Sequence, residues 1–219
     1  TRDLEIAPFE SKTSPNFSTF INWLIHVIER MIEQDFGKLV NLLYKIDVSE
    51  IKAKEAFAAT ENPAARLADL IIDLISLDYN EALLAAAGHQ AEAARYAAME
   101  RHAGSYILVI EGAIPTADDG IYCKVAGQTS LEIVRECAEH AGAIIAIGSC
   151  ASWGGIPSAD PNPTGAVGTP QVLAGKTVVT IPGCPANPYN LLGTVLQYAV
   201  MGTLPELDDK GRPMFAYGR

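Results

Sequence analysis

Two cysteines in similar settings are the residues best placed to do chemistry. Cys150 lies in Gly148-Ser149-Cys150-Ala151-Ser152-Trp153-Gly154-Gly155, and Cys184 in Ile181-Pro182-Gly183-Cys184-Pro185-Ala186-Asn187-Pro188. Each directly follows a short apolar run, residues 143–147 and 178–181, that reads as a buried strand. Thiols at the carboxyl ends of two strands of one sheet converge on one point, which is how a fold builds a metal or cluster site from distant sequence. The flanking glycines and prolines turn the chain sharply and let backbone approach a bulky ligand. The remaining cysteines are Cys123 and Cys137. No C-x-x-C pair exists, which argues against a zinc ribbon. Four cysteines in 219 residues do not make a disulfide scaffold either. Cys137 falls inside a predicted helix and reads as a small buried hydrophobe.

The elements that must position these thiols divide the chain in two. Residues 1–62 read as helical. Phe17, Phe20, Ile21, Leu24, Ile25, Ile28, Met31 and Ile32 recur at helical steps within residues 14–34. A second helix is predicted over 36–46. A third runs to residue 59 from Asp47-Val48-Ser49-Glu50, which resembles a capping box. Thr60-Glu61-Asn62-Pro63 breaks the pattern. The amphipathic stretch 17–32 offers a surface for self-association or for a partner.

Residues 63–219 alternate strands with helices. Strands are predicted at 70–77 (with 66–75 also readable as helix), 106–110, 143–147 and 177–181. Helices are predicted at 80–102, 130–141, 169–173 and 187–201. This pattern, with near-continuous apolar strands, predicts an α/β fold whose parallel sheet carries helices on both faces. Ligands bind outside the carboxyl ends of such strands, where Glu111-Gly112 and both cysteine loops fall. Residues 152–168, rich in glycine, proline, asparagine and serine, form a long loop of the functional kind. Residues 204–219 read as a polar connector.

Bulk properties exclude some functions. A net charge of −10 argues against nucleic-acid binding. No apolar run approaches the roughly 20 residues that span a bilayer, and Thr1-Arg2-Asp3-Leu4-Glu5 lacks the order of a secretory signal. The expectation is a soluble chain. The glycine fingerprint of dinucleotide binding is absent, leaving a nucleotide or flavin role supported by sheet type alone.

Several motifs together resemble the small subunit of nickel–iron hydrogenases. They are Ile75-Ser76-Leu77-Asp78-Tyr79-Asn80-Glu81 with Ala85-Ala86-Ala87-Gly88, Val109-Ile110-Glu111-Gly112, Gly148-Ser149-Cys150, Pro161-Asn162-Pro163 and Pro182-Gly183-Cys184-Pro185. Pro205-Glu206-Leu207-Asp208, Gly211-Arg212-Pro213 and Phe215-Ala216-Tyr217 fit as well. The likeness covers residues 65–219 and implies a flavodoxin-like domain that transfers electrons through a proximal iron–sulfur cluster beside a large subunit. It implies Cys150 and Cys184 as cluster thiolates. Cys123 matches a position that is cysteine in the oxygen-tolerant branch, so the implied cofactor is a 4Fe-4S or a 4Fe-3S cluster. Glu81 and Glu111 are implied to lie near it, and the implied location is the periplasmic face of the membrane. Two departures stand out. Residues 1–62 hold neither the family's first strand nor the cysteines of the loop that follows it, and the region binding further clusters is missing. The alternative expectation is a cluster-free scaffold or interaction module, a rearranged or chimeric chain with a hydrogenase-like core.

Overall fold

The computed structural model describes residues 17–37, 39–40, 50–58, 62–72, 77–80 and 86–218. They fall into two compact units, one within Thr1–Ser76 and Leu192–Pro205, the other within Leu77–Leu191 and Glu206–Arg219.

The first unit is helical: α1 (Phe17–Gln34), α2 (Glu50–Ala58), α3 (Pro63–Ile72) and the part of α7 (Pro188–Met201) from Leu192 onward. Leu24, Val27, Ile28 and Met31 of α1 repeat every three or four residues and so share one face. They are buried together with Leu39, Ala56, Ala64, Leu67, Ala68 and Leu196. The apolar stripe expected to serve self-association is, over these residues, consumed inside the chain. The predicted helix over 36–46 and the predicted capping box at 47–50 lie largely outside the described residues. Asn62-Pro63, read as a breaker, starts α3. The Asn62 side chain accepts the Ala65 N–H at 3.1 Å, and proline occupies the first helical position, where it has no N–H to lose. The helical alternative at 66–75 is therefore the one adopted, at least to Ile72, because Ala64, Leu67 and Ala68 need one helical face to reach the core.

The second unit is built on a parallel sheet in the order β1 (Ile107–Glu111), β4 (Ala143–Ile147), β5 (Val179–Ile181). The ladder runs unbroken from Ile107 opposite Ala143 to Glu111 opposite Ile147, and on the other side from Ile145 opposite Val179 to Ile147 opposite Ile181. Ala-Ile-Ile-Ala-Ile carries no polar side chain on either face, which suits β4 to the centre. On one face Ile110, Ile144 and Ala146 pack with Leu131, Val134 and Ala138 of α5 (Ser130–Glu139) and with Ala151 and Leu173. On the other, Ile145, Val179 and Ile181 are fully buried. A two-stranded hairpin, β2 (Lys124–Val125) and β3 (Gln128–Thr129), leads into α5.

Helix α5 starts at a capping box. Thr129 Oγ1 accepts the Glu132 N–H at 3.2 Å, and Glu132 accepts the Thr129 N–H at 2.8 Å. Those bonds from Thr129 hold the Glu132 carboxyl below its ordinary pKa. Of the helix expected over 80–102, residues 81–85 lie outside the described residues, and α4 (His89–Arg101) starts just after Gly88, which sits at φ +58°.

Arg95 of α4 is 3 % exposed and ties α4 to α5. Its guanidinium donates to Glu92 at 2.7 Å, Gln128 at 2.9 Å, Glu136 at 3.0 Å and the Cys137 sulfur at 3.4 Å. Burial works to lower the Arg95 pKa, but the carboxylates of Glu92 and Glu136 outweigh it and hold the charge more firmly than in water. Burial pushes the Cys137 thiol up, with Arg95 opposing in part. Cys137 is thus the packed small residue its helical context predicts. Arg95→Met is expected to cost about 2–3 kcal/mol, less than a fully buried pair, because Glu136 is partly exposed. Arg95→Lys will not restore the loss, since an ammonium cannot reproduce the planar fork. Urea denaturation checks both, and iodoacetamide at pH 8 should label Cys123 and Cys184 of the native protein well before Cys137.

Candidate thiolate site

Because β4 and β5 run parallel, the chain leaves both at the same end of the sheet. Beyond β4, Gly148 opens the short helix α6 (Gly148–Trp153), which places Cys150 in its first turn. Beyond β5 comes the Pro182-Gly183-Cys184 turn, with the Cys184–Pro185 peptide cis and a bridge from Gly183 to Ala186. The two loops are joined by a reciprocal pair of hydrogen bonds. The Ser149 N–H donates to the Gly183 carbonyl at 2.9 Å, and the Gly183 N–H donates to Ser149 Oγ at 3.1 Å. Each partner immediately precedes a cysteine, so the bond pair fixes where Cys150 and Cys184 leave the sheet. Cys150 is partly buried and Cys184 exposed.

Two glycines make room. Gly155 sits at φ +57°, and a Cβ there would lie 2.7 Å from the Cys150 sulfur. Gly183, at φ +145°, would place a Cβ 2.7 Å from the Pro185 carbonyl oxygen. Neither position accepts a larger residue without moving a cysteine or its turn. Below the site, Ser152 Oγ donates to the Ala146 carbonyl at 3.1 Å and anchors α6 to the central strand.

The long loop over 152–168 is held from within and from outside. Asn162, between two prolines, donates to the Ala166 carbonyl at 3.0 Å and accepts the Ala166 N–H at 2.8 Å. Ile114 and Val167 exchange two backbone bonds, and the Ala117 N–H donates to the Thr164 carbonyl at 3.0 Å. The tail does not behave as the polar connector expected from its composition. Thr180 donates its N–H to the Gly211 carbonyl at 2.8 Å and its hydroxyl to Lys210 at 2.8 Å, so the tail covers the outer edge of β5. Arg212 pairs with Asp208 at 2.6 Å, and the Tyr217 hydroxyl donates to the Pro182 carbonyl at 3.0 Å, next to the Cys184 turn. Composition alone hid these contacts. Their signal was Asp208 four residues before Arg212 around a glycine.

Among the residues expected at the site, the structure brings the loops of Cys150 and Cys184 together. Glu111 ends β1 at the same end of the sheet and is exposed. Cys123 is exposed at the entry to the β2–β3 hairpin, where its N–H donates to Gly120 at 3.3 Å and its carbonyl accepts from Ser130 at 2.9 Å. Glu81 lies outside the described residues. No group of three or more histidine, cysteine, aspartate or glutamate side chains among the described residues could hold a metal ion. A cubane iron–sulfur cluster is held by four protein ligands. Cys150 and Cys184 offer two thiols, and the described residues gather no group of three ligands around them.

The NADH ubiquinone oxidoreductase 20 Kd subunit family model matches residues 55–198. The chain belongs to that family. Within it, the chain is similar to the Hydrogenase-2 small chain of Escherichia coli K12, 54 % identical over 151 residues that make up 69 % of this chain and 41 % of the relative. It is 48 % identical over 155 residues to the periplasmic [NiFe] hydrogenase small subunit 1 of Nitratidesulfovibrio vulgaris, covering 70 % of this chain and 49 % of that one. Among solved structures it superposes on the Ni-Fe-Se hydrogenase of Desulfomicrobium baculatum with a TM-score of 0.61 and 35 % identity, over 68 % of this chain and 60 % of the other. The fold is thus that of a hydrogenase small subunit with its flavodoxin-like core. The chain spans less than half the length of these two curated relatives.

Gly155→Ala is expected to destabilise the protein by about 1–3 kcal/mol through backbone strain and crowding. It should also change the iodoacetamide reaction rate of Cys150 by more than about threefold while leaving Cys123 unchanged. Urea denaturation and peptide mapping of the alkylated protein check the two effects.

Proposed function

We propose that this chain serves as an electron-transfer small subunit of a nickel–iron hydrogenase, beside a large subunit, with Cys150 and Cys184 as two thiolates of an iron–sulfur cluster. The observation that carries this reading is the reciprocal Ser149–Gly183 bond pair, which sets both cysteines at one end of a parallel sheet. The overall identity of 54 % and 48 % to two hydrogenase small subunits supports it. A bound cluster supplies one-electron transfer, with a potential set by its ligands, nearby hydrogen bonds and solvent exposure. This chain's own part is positional. Ser149 and Gly183 hold the thiolates in register, Gly155 leaves the Cys150 sulfur its space, and Tyr217 steadies the Pro182 carbonyl ahead of Cys184.

One observation favours a second reading, a cluster-free interaction module: no third ligand joins the pair among the described residues. Anaerobic titration of the reduced protein with cobalt(II) separates the two. Thiolate ligation gives an intense sulfur-to-cobalt charge-transfer absorption. The expected result is a band that falls to about a tenth in Cys150→Ser and in Cys184→Ser but persists in Cys123→Ser. A band that ignores Cys150 and Cys184, or none at all, rules out the thiolate pair and leaves the interaction module.

A further inference from the structure

The two thiols are held in place by different means. Cys150 belongs to α6, whose Ala151 and Ser152 are fully buried and whose Ser152 hydroxyl is bonded to the central strand. Cys184 is exposed on a turn in which no residue from 182 to 186 is buried. Hydrogen bonds, not packing, must therefore fix that turn. Three backbone groups just ahead of the thiol are tied elsewhere. Ser149 takes the N–H and the carbonyl of Gly183. The Pro182 carbonyl accepts from the Tyr217 hydroxyl at 3.0 Å.

Tyr217 comes from a segment that closes on itself. Asp208 accepts the Lys210 N–H at 3.0 Å and the Arg212 N–H at 2.8 Å, and pairs with the Arg212 side chain. The Asp208 N–H donates to the Arg212 carbonyl at 2.9 Å, and the Met214 N–H to the Glu206 carbonyl at 2.8 Å. The Arg212 guanidinium stands over the Tyr217 ring, 5.3 Å from its centroid. Asn190, buried in α7, donates to the Tyr217 hydroxyl. Burial raises the phenol pKa against the opposing effects of Asn190 and Arg212, so the hydroxyl stays a protonated donor at neutral pH. The segment reaches β5 and its exit at Thr180 and Pro182, two residues apart. Gly211, at φ +76°, permits the first of these contacts, because a Cβ there would stand 2.9 Å from the Val178 carbonyl oxygen.

We propose that residues 206–218 form a latch on the Cys184 half of the thiolate site, with Tyr217 as its positioning residue. With the Tyr217 hydroxyl on Pro182, Cys184 is held where it can share a metal centre with Cys150. With that bond broken, the Cys184 turn keeps the Ser149–Gly183 pair as its tether and gains freedom, while Cys150 stays fixed on the buried α6. The pair is thus unequal. Cys150 is the fixed ligand, and Cys184 is the one through which a thiophilic metal centre is admitted and released. Hydrogen bonds behind a ligand typically change metal affinity by about 10- to 100-fold. The inference rests on the reading of Cys150 and Cys184 as a thiolate pair, and it adds which of the two exchanges and what controls it.

The test uses the full chain under anaerobic conditions with cobalt(II) as the probe, in Tyr217→Phe and in a protein carrying 4-aminophenylalanine at position 217. Phenylalanine keeps the ring under Arg212 and loses the hydroxyl, whereas the aniline N–H restores a donor to the Pro182 carbonyl. In Tyr217→Phe, hydrogen–deuterium exchange at Gly183 and Cys184 should quicken by about fivefold or more, with exchange over 148–153 unchanged. Cobalt(II) affinity should fall about tenfold while the charge-transfer absorbance at saturation is retained. The aniline should restore both. Gly211→Ala crowds the segment away from Val178 with the hydroxyl intact, and should quicken exchange at the same turn, which gives a second arm where Tyr217→Phe does not fold. Equal quickening at both cysteine loops, no quickening at Cys184, or no recovery with the aniline overturns the latch and leaves the thiolate pair in place. A native chain whose cobalt band ignores Cys150 and Cys184 instead removes the pair itself, and with it the latch as a device for metal exchange.

Discussion

Parallel pairing on both sides of β4 is the constraint from which the rest of the site follows. In an antiparallel arrangement the loops after β4 and β5 would leave at opposite ends of the sheet, and Cys150 and Cys184 would be separated by a strand length. Parallel pairing brings both loops to one end, and side-chain chemistry then has only to tie them. Ser149 does so with one hydroxyl and one N–H against the two backbone groups of Gly183. The apolar composition of β4 is what makes it central, because a strand covered on both faces tolerates no polar side chain without a partner. Placement of the thiols therefore traces back to five residues that contain no reactive group.

The two edges of this sheet differ in a way that bears on stability as well as function. At β5 the edge is capped by a short loop in which Asp208 accepts the backbone N–H groups of Lys210 and Arg212 and pairs with the Arg212 side chain. Burial works to raise the Asp208 pKa, but the Arg212 side chain and these N–H groups outweigh it and hold the carboxyl below its usual range. The cap is thus intact above the ordinary carboxylate pKa and weakens only as pH falls through the lower native value. At β1, among the described residues, backbone pairing is with β4 alone. Such an edge promotes association with whatever extended segment is available.

Much of the site was legible in the sequence because its signals are local. Glycine and proline beside Cys150 and Cys184, after unbroken apolar runs, locate strand ends and tight turns without knowledge of the rest of the chain. The parallel sheet followed from apolar strands alternating with helices. What sequence obscured has physical causes. Residues 66–77 are two-thirds apolar with scattered polar residues, so strand and helix patterns overlap, and the Asn62 cap decides for helix over Pro63–Ile72. The alanine-rich stretch before His89 has high helix propensity, but Gly88 at positive φ sets the start of α4. The tail reads as polar because its contacts are made by backbone carbonyls, one ion pair and the Tyr217 hydroxyl, which composition does not reveal. The exposed position of Cys123 was not readable from spacing, since it depends on where the β2–β3 hairpin points the chain.

Cys137 and Cys150 show how differently one fold uses the same side chain. Cys137 lies under Arg95, where the guanidinium satisfies two carboxylates and donates to sulfur, and burial holds the thiol in its protonated form. A cation there would meet a fixed positive charge, so the sulfur is available for packing and not for ligation. Cys150 stands in the first turn of a short helix, with a glycine rather than a side chain against its sulfur. The same atom type is insulated in one place and left approachable in the other, and the difference is made by Arg95 and Gly155. The accessibility of each thiol in this domain is therefore decided by what stands next to it, and the buried Arg95 keeps Cys137 out of the chemistry.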